Sequence, residues 1–226
     1  MSHLINIFLE PGKVFAALKD KPTFLVPTLL AAVLTALAAT LYFLNVDADW
    51  FANQQLQAMA GDMSKAELEQ VGQMMPGART MAWFTAPMVL LTVALSYVVF
   101  AFYYWLAGKV TGNAMSFRQG LALVSWAGMP MVIGAVIALV AVFTSSPQSS
   151  FESMQLLNVD PLLVQLPVDH DWSRLAKSFS LLNLWVWFLG ALGWKTWFRT
   201  GWGQALSVVL LPSLLIYGGM ALFALL

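Results

Sequence analysis

The sequence predicts an all-α, polytopic membrane protein, a bundle of five transmembrane helices preceded by a short interfacial helix. The chain is 60% hydrophobic and only 10% charged, which leaves too little polar surface to cover a soluble protein of this size. Its apolar residues form continuous runs, and a run of roughly 20 residues crosses a hydrocarbon core of about 30 Å. The five predicted spans are residues 24–44, 81–107, 120–143, 175–194 and 203–226. Residues 1–226 are thus expected to form a single membrane domain, with longer loops at 45–80 and 144–174.

The charged residues are divided unevenly between the two sides of these spans. Seven of the eleven Lys and Arg residues lie before the first span or in the two short turns, whereas nine of the eleven acidic residues lie in the two longer loops. Basic residues in short loops stay on the cytoplasmic side. We therefore expect a cytoplasmic N-terminus and a C-terminus on the opposite, periplasmic or extracellular, side.

The first twenty residues have the pattern of a helix on the membrane surface. Pro11 can occupy a first helical turn, and Val14, Phe15 and Leu18 then share one face. Pro22 ends the helix. We expect this helix to anchor the chain at the interface with its apolar face in lipid, rather than to bind a partner.

Small side chains recur at four-residue intervals in the first span, at Ala31, Thr35 and Ala39. Such spacing lets two helix backbones approach closely, so this span is predicted to pack inside the bundle. A functional groove along the small residues is the alternative.

The first outer loop contains a helix signal. Ser64 and Glu67 stand in capping-box spacing, which predicts a short helix from this point. Earlier in the loop, Asp49 is predicted to cap a helical segment that begins at Trp50.

The third span has the sharpest local pattern. Arg118 precedes it, and Trp126, Gly128, Pro130 and Gly134 follow within it. A proline in mid-membrane removes a backbone hydrogen bond, so a kink is expected between Trp126 and Pro130. These five residues are the candidate contact for a lipid headgroup or a partner helix, because an interfacial Arg attracts anionic lipid and a kink frees backbone carbonyls.

The fourth span is flanked by tryptophans. Trp prefers the headgroup level, so Trp172 at one end and Trp194, Trp197 and Trp202 at the other are predicted to mark the two membrane interfaces. Asn183 lies inside the span, where a hydrogen bond to another helix is the expected role.

The residues that usually carry chemistry are sparse. The chain has no Cys, no nucleophile or metalloprotease motif and no acidic pair inside a span, so no catalytic residue, cofactor or metal site is expected. Asp169, His170 and Asp171 together suggest a metal site, but a site needs more converging ligands, and acids before a helix also complement its dipole. No basic block indicates nucleic-acid binding.

Four segments together resemble bacterial proteins of the Yip1-domain family. They are EPGKVF at 10–15, SFRQG at 116–120, SWAGMP at 125–130, and residues 182–195 with their NLW and GWK motifs. The resemblance implies a five-helix bundle in the bacterial inner membrane with a cytoplasmic N-terminus. For bacterial members it implies no established activity.

The expected function is that of a non-enzymatic inner-membrane protein that organises or binds membrane partners or lipids. Membrane lipids are the expected partners, with other membrane proteins or further copies of this chain as alternatives. The competing hypothesis is a small transporter or lipid-handling protein that uses kinks in the third and fifth spans, the latter at Pro212. A continuous polar cavity between helices would favour transport.

Overall fold

The computed structural model describes residues 2–59, 64–167 and 170–225, and within these ranges the chain is helical with no β-sheet. Asp169 lies outside the described residues. The helices are α1 (Ser2–Leu9), α2 (Pro11–Asp20), α3 (Leu25–Asn45), α4 (Ala48–Met59), α5 (Lys65–Met74), α6 (Ala78–Val110), α7 (Phe117–Ala127), α8 (Pro130–Thr144), α9 (Val159–Leu162), α10 (Ser173–Ser178), α11 (Leu182–Phe198) and α12 (Trp202–Phe223). The predicted all-α class is confirmed for this part of the chain.

Several helices are suited to crossing a membrane. Three are long and apolar enough alone: α3 with 21 residues, α6 with 33 and α12 with 22. α7 and α8 qualify only as a pair, bent by 45° at a short break. The described residues therefore provide three helices that are long and apolar enough to cross a membrane, or four if the bent pair is one span, and the five-span count stays a prediction.

The predicted fourth span, residues 175–194, is not one continuous helix. α10 ends before Phe179, which is extended with ψ 111°, and α11 begins at Leu182. Ser180 instead pairs with Asn158 of the preceding loop in an isolated antiparallel bridge. α11 has 17 residues, which at 1.5 Å per residue is about 25 Å and shorter than a hydrocarbon core of about 30 Å.

The N-terminal segment forms two helices, and the second matches the predicted bounds. α2 begins at Pro11 and ends before Pro22. Its apolar face, Val14, Phe15 and Leu18, is at most 1% exposed because α2 packs against α11 and α7. The expectation that this face lies in lipid is wrong. An apolar stripe has the same period whether lipid or protein covers it, so the sequence could not separate the two.

α3 packs as its small residues predict. Ala31, Ala36 and Ala39 are buried, and α3 contacts both α6 and α8. A second close approach joins α6 to α7, where a Cβ on Gly120 would lie 2.7 Å from the Ala101 carbonyl oxygen. Small residues thus set the spacing on both sides of α6, as expected for helices that associate in lipid.

The structure of the 45–80 loop confirms one predicted cap and corrects the other. Ser64 and Glu67 form a complete capping box at the start of α5, with the Ser64 N–H donating to Glu67 Oε2 at 2.8 Å. At the start of α4 the cap is Asp47 rather than Asp49, because the Trp50 N–H donates to Asp47 Oδ1 at 2.7 Å. The Asp47 N–H itself donates to the Pro147 carbonyl of the 144–174 loop, which fixes the chain there and lets the helix begin at the next residue.

The bundle core consists of two clusters of buried apolar side chains. The larger joins α1, α2, α7 and α11 around Phe15, Leu123 and Trp194. The smaller joins α3, α4 and α8 around Tyr42 and Phe51. α6 and α12 keep long apolar faces exposed, and in a membrane such faces contact lipid chains.

Candidate functional site at the broken helix

The helix break falls where the sequence predicts it. α7 ends at Ala127 and α8 begins with Pro130. Pro130 has no N–H, and its ring excludes the carbonyl of Trp126, four residues earlier, from α-helical pairing. The Trp126 carbonyl instead accepts from the Met129 N–H at 3.3 Å, a tighter turn. The predicted kink between these positions is confirmed.

The first half of the broken helix holds the linker between α2 and α3. Three side chains of α7 donate to backbone carbonyls of residues 19–23, which we call the 19–23 linker. The donors are Arg118 Nε to Pro22 O at 3.0 Å, Gln119 Nε2 to Lys19 O at 3.0 Å and Trp126 Nε1 to Thr23 O at 2.7 Å. Each bond joins residues about a hundred positions apart in sequence, so the start of the broken helix fixes how the chain enters α3.

α7 begins with a capping box that was not predicted from the sequence. The Gln119 N–H donates to Ser116 Oγ at 3.2 Å, and the Ser116 N–H donates to Gln119 Oε1 at 2.9 Å. The Ser-x-x-Gln spacing was the available signal. Gln119 therefore serves both the cap and the 19–23 linker.

The five predicted site residues occupy two different environments. Arg118 is exposed at the start of α7, whereas Trp126 is 3% exposed and Pro130 is fully buried, so both contact the protein's own chain. Gly128 lies at the break, where a Cβ would be 3.3 Å from the Tyr97 hydroxyl. Gly134 lines a cavity in the described part of the chain. Arg118 and Trp126 thus bind the 19–23 linker, Gly128 and Pro130 lie at the break, and Gly134 lies in the cavity wall.

The cavity, of about 270 Å³, lies between α3, α8, the 144–174 loop and the start of α11. A Cβ on Gly134 would be 3.0 Å from Leu182 Cδ1, so the glycine lets α8 and α11 approach at its edge. None of the lining residues is charged. They are Thr35, Ala38, Met131, Gly134, Ala135, Ala138, Phe151, Gln155, Leu156, Leu157, Asn158, Ser178, Ser180, Leu182 and Asn183.

Residues of the 144–174 loop line one side of the cavity and are held by a network of hydrogen bonds. Asn158 is buried, and its Nδ2 donates to Gln155 Oε1 at 2.7 Å and to the Lys177 carbonyl at 2.6 Å. The Leu181 N–H donates to the Leu157 carbonyl at 2.9 Å. Irregular backbone at membrane depth is tolerated where protein satisfies it in this way. Gln155 and Asn158 were not predicted, because an isolated amide in a Ser- and Pro-rich loop gives no periodic signal.

Asn183 makes the interhelical hydrogen bond that the sequence predicts. Its Nδ2 donates to the hydroxyl of Tyr217 on α12 at 2.9 Å. This bond joins the start of α11, at the cavity, to the last helix of the chain.

Two of the tryptophans predicted at a membrane interface are in the core. Trp194 and Trp197 are 0% and 1% exposed, and Trp197 Nε1 donates to the Phe15 carbonyl at 2.6 Å. The interface prediction is wrong for these two, because α2 packs against α11 and covers them, and it supplies an acceptor to Trp197. Trp172 and Trp202 are partly exposed.

Metal-binding side chains do not cluster in the part of the chain that the structure describes. No group of three or more His, Cys, Asp or Glu residues comes together there. His170 Nδ1 accepts from the Trp172 N–H at 3.2 Å, so it takes part in the turn before α10.

An all-helical chain with three or four apolar helices long enough to cross a membrane is an integral membrane protein of the helical-bundle class. Residues 5–223 match the Yip1 domain, a range that includes all four resembling segments. The protein belongs to the Yip1 family, and the predicted resemblance is confirmed. Membrane protein YknW of Bacillus subtilis (strain 168) is 21% identical over 228 residues, covering 98% of this chain and 88% of that protein. No solved structure matches the chain.

Proposed function

We propose that the protein is a non-enzymatic component of the bacterial inner membrane that holds a membrane lipid, or an apolar segment of a membrane partner, in the cavity beside α8. The observation that carries the proposal is the cavity itself, which has apolar walls, no charged lining residue and a broken helix as one side. Ligand sites are typically concave and mostly apolar with a few polar groups, and this cavity has that character.

The proposed arrangement has five crossings with the N-terminus in the cytoplasm. α11 supplies the fourth crossing, and residues 173–181 lengthen it on the loop side. The basic residues near Lys109 and Lys195 support this orientation, as does Lys109 lying 3.8 Å from the Trp105 ring centroid, a pairing suited to the headgroup level.

A transporter is the second candidate, and the broken helix α7–α8 is the observation that favours it. α12, however, is helical through Pro212, so the fifth predicted span has no comparable break. The uncharged lining also gives an ion or a polar solute few partners. Binding of a lipid or a partner segment is therefore the better supported use of the cavity.

Filling the cavity tests the proposal. Ala135 lines the cavity, whereas Val136, the next residue of α8, is 43% exposed. Ala135→Phe should reduce the lipids or peptides that remain bound after purification from native membranes, as measured by native mass spectrometry. Val136→Phe, the matched control, should leave them unchanged. Equal retention by both variants would refute the cavity as the binding site.

A further inference from the structure

A second cavity lies where α3 and α8 end, and we call it the helix-end cavity. Its volume is about 150 Å³, and its lining comes from residues between 42 and 46, residues between 142 and 147, and Met154. None of the described residues that line it is charged. The last turns of α3 and α8 meet in one apolar cluster through Tyr42 and Val142. Two helix C-termini therefore face one space.

Both helix ends leave backbone carbonyls without donors. The carbonyls of residues 43–45 and 142–144 accept no hydrogen bond from the described part of the chain. Pro147 has no N–H to give to the carbonyl four residues earlier. The Gln148 N–H donates to Ser146 Oγ at 3.2 Å rather than back to α8. Because the last carbonyls of a helix point beyond its end, they present acceptors to the helix-end cavity.

Two lining side chains add further acceptors. Asn45 Nδ2 donates to the Leu41 carbonyl at 2.8 Å, so Asn45 Oδ1 remains an acceptor. The Tyr42 hydroxyl donates to the Ser149 carbonyl at 3.2 Å, which leaves its oxygen able to accept. A group with several N–H donors suits this lining, whereas a phosphate, which has only acceptors at neutral charge balance, does not.

The electrostatics of the helix-end cavity favour a cation. Each helix C-terminus carries about half an elementary negative charge, and neither α3 nor α8 has a basic residue in its last turn. The segments that supply the lining contain no Lys or Arg from residue 22 to 64 or from 119 to 173. Asp47 and Glu152 each lie within two residues of the lining. A positive group therefore meets negative potential and no basic lining residue.

The surroundings of the helix-end cavity suit a lipid as the source of that cation. α3 is apolar and long enough to cross a membrane, so its end lies at a membrane surface. Leu44 and Phe143, at the two helix ends, are 55% and 64% exposed and in a membrane would contact acyl chains. Ala78 of α6 shares the apolar cluster with Tyr42, and the next residue, Arg79, is exposed and suits a lipid phosphate.

We propose that the helix-end cavity binds the primary ammonium group of a phosphatidylethanolamine headgroup in the leaflet on the side of the 144–174 loop. The ammonium N–H groups donate to the helix-end carbonyls and to Asn45 Oδ1, and the acyl chains run along Leu44 and Phe143. A choline headgroup has the same charge but no N–H donor, so it leaves these acceptors unpaired. This site is separate from the cavity at Ala135 and goes beyond the proposed function.

The test compares two lipids that differ only in the headgroup cation. Dioleoyl phosphatidylethanolamine and dioleoyl phosphatidylcholine are each added to delipidated protein, and retention is measured by native mass spectrometry. The parent should retain the ethanolamine lipid more strongly. Asn45→Leu, which is similar in size and lacks the acceptor, should lower this retention about 10-fold and leave the choline lipid unchanged, as expected for a hydrogen bond to a charged donor. Equal retention of both lipids by the parent would overturn the inference.

A matched pair of variants tests the charge of the occupant. Ser145 is exposed and lines the helix-end cavity. Ser145→Lys places a tethered ammonium there and should abolish the preference for the ethanolamine lipid. Ser145→Met has a side chain of similar length without charge and should keep the preference. If both variants lose it equally, or if Ser145→Lys keeps it, the ammonium assignment is refuted.

Two further arms separate this site from a soluble amine and from the proposed function. Glycerophosphoethanolamine has the same headgroup without acyl chains, and it should bind more weakly because nothing contacts Leu44 and Phe143. Binding as tight as that of the whole lipid would assign the site to a soluble amine and overturn the inference. Ala135→Phe should keep the ethanolamine preference, since Ala135 does not line the helix-end cavity. Loss of the preference in that variant would place it in the other cavity and refute the separate site.

Discussion

The hydrogen bond from Trp126 to the 19–23 linker is the contact through which the broken helix most directly fixes its neighbours. Trp126 is 3% exposed, and its Nε1 donates to the Thr23 carbonyl at 2.7 Å. Trp126→Phe keeps an aromatic ring but removes this donor. Thr23 is exposed, so water can replace the lost donor and the hydrogen bond is worth about 0.5–1.5 kcal/mol; the void left by the smaller ring adds about 1 kcal/mol.

Hydrogen exchange followed by mass spectrometry measures the local part of this loss. The Lys21 N–H donates to the Ala17 carbonyl at the end of α2, so its exchange reports opening of the 19–23 linker. A loss of about 0.5–1.5 kcal/mol raises its exchange rate by about 2- to 13-fold. Trp202→Phe, at a tryptophan that is 42% exposed, is the matched control and should leave this rate unchanged. Unchanged exchange in Trp126→Phe would refute the linker contact as a stabilising interaction.

Three further predictions concern charge, topology and pH. Arg118→Lys should preserve insertion and orientation but weaken binding to anionic lipid vesicles several-fold, because the bidentate geometry of Arg is lost. If the variant co-sediments with such vesicles as well as the parent does, Arg118 serves only to orient the chain in the membrane. In intact cells an impermeant thiol reagent should label Gln70→Cys and spare Ala114→Cys, since the chain has no native Cys; the reverse pattern would invert the proposed topology. The Ser64 hydroxyl donates to Glu67 and lowers the pKa of Glu67 below its usual 4.5. The stabilisation from the cap is therefore fully present above this usual pKa. It is lost as the pH falls through the lower pKa that Glu67 has in the folded protein. Amide exchange at the start of α5 should therefore rise only in acid below the usual pKa, and a rise near pH 6 would contradict this.

The sequence predicts the features that depend on neighbouring residues. Pro130 breaks the helix because its missing N–H and its ring act within one turn, whatever surrounds them. Ser64 and Glu67 form their capping box in the same local way, because the two residues are only three positions apart. The small residues of α3 also identify a packed face correctly, because close approach requires small side chains on both helices.

The features that depend on distant segments could not be predicted. Trp194 and Trp197 prefer a membrane interface on average, and only the packing of α2 over them shows that they are core residues. The break before α11 depends on Ser180 pairing with Asn158, more than twenty residues earlier. The cavity is likewise formed by a loop without periodicity, so Gln155 and Asn158 gave no signal before the fold was known.

The most direct test of the central claim is a density map of the protein in nanodiscs made with its native membrane lipids. The account predicts elongated density between α3 and α8, in contact with Ala135 and Ala138 and close to Thr35, together with five membrane crossings. A cavity collapsed or empty, with ordered lipid only on the exposed faces of α6 and α12, would contradict it.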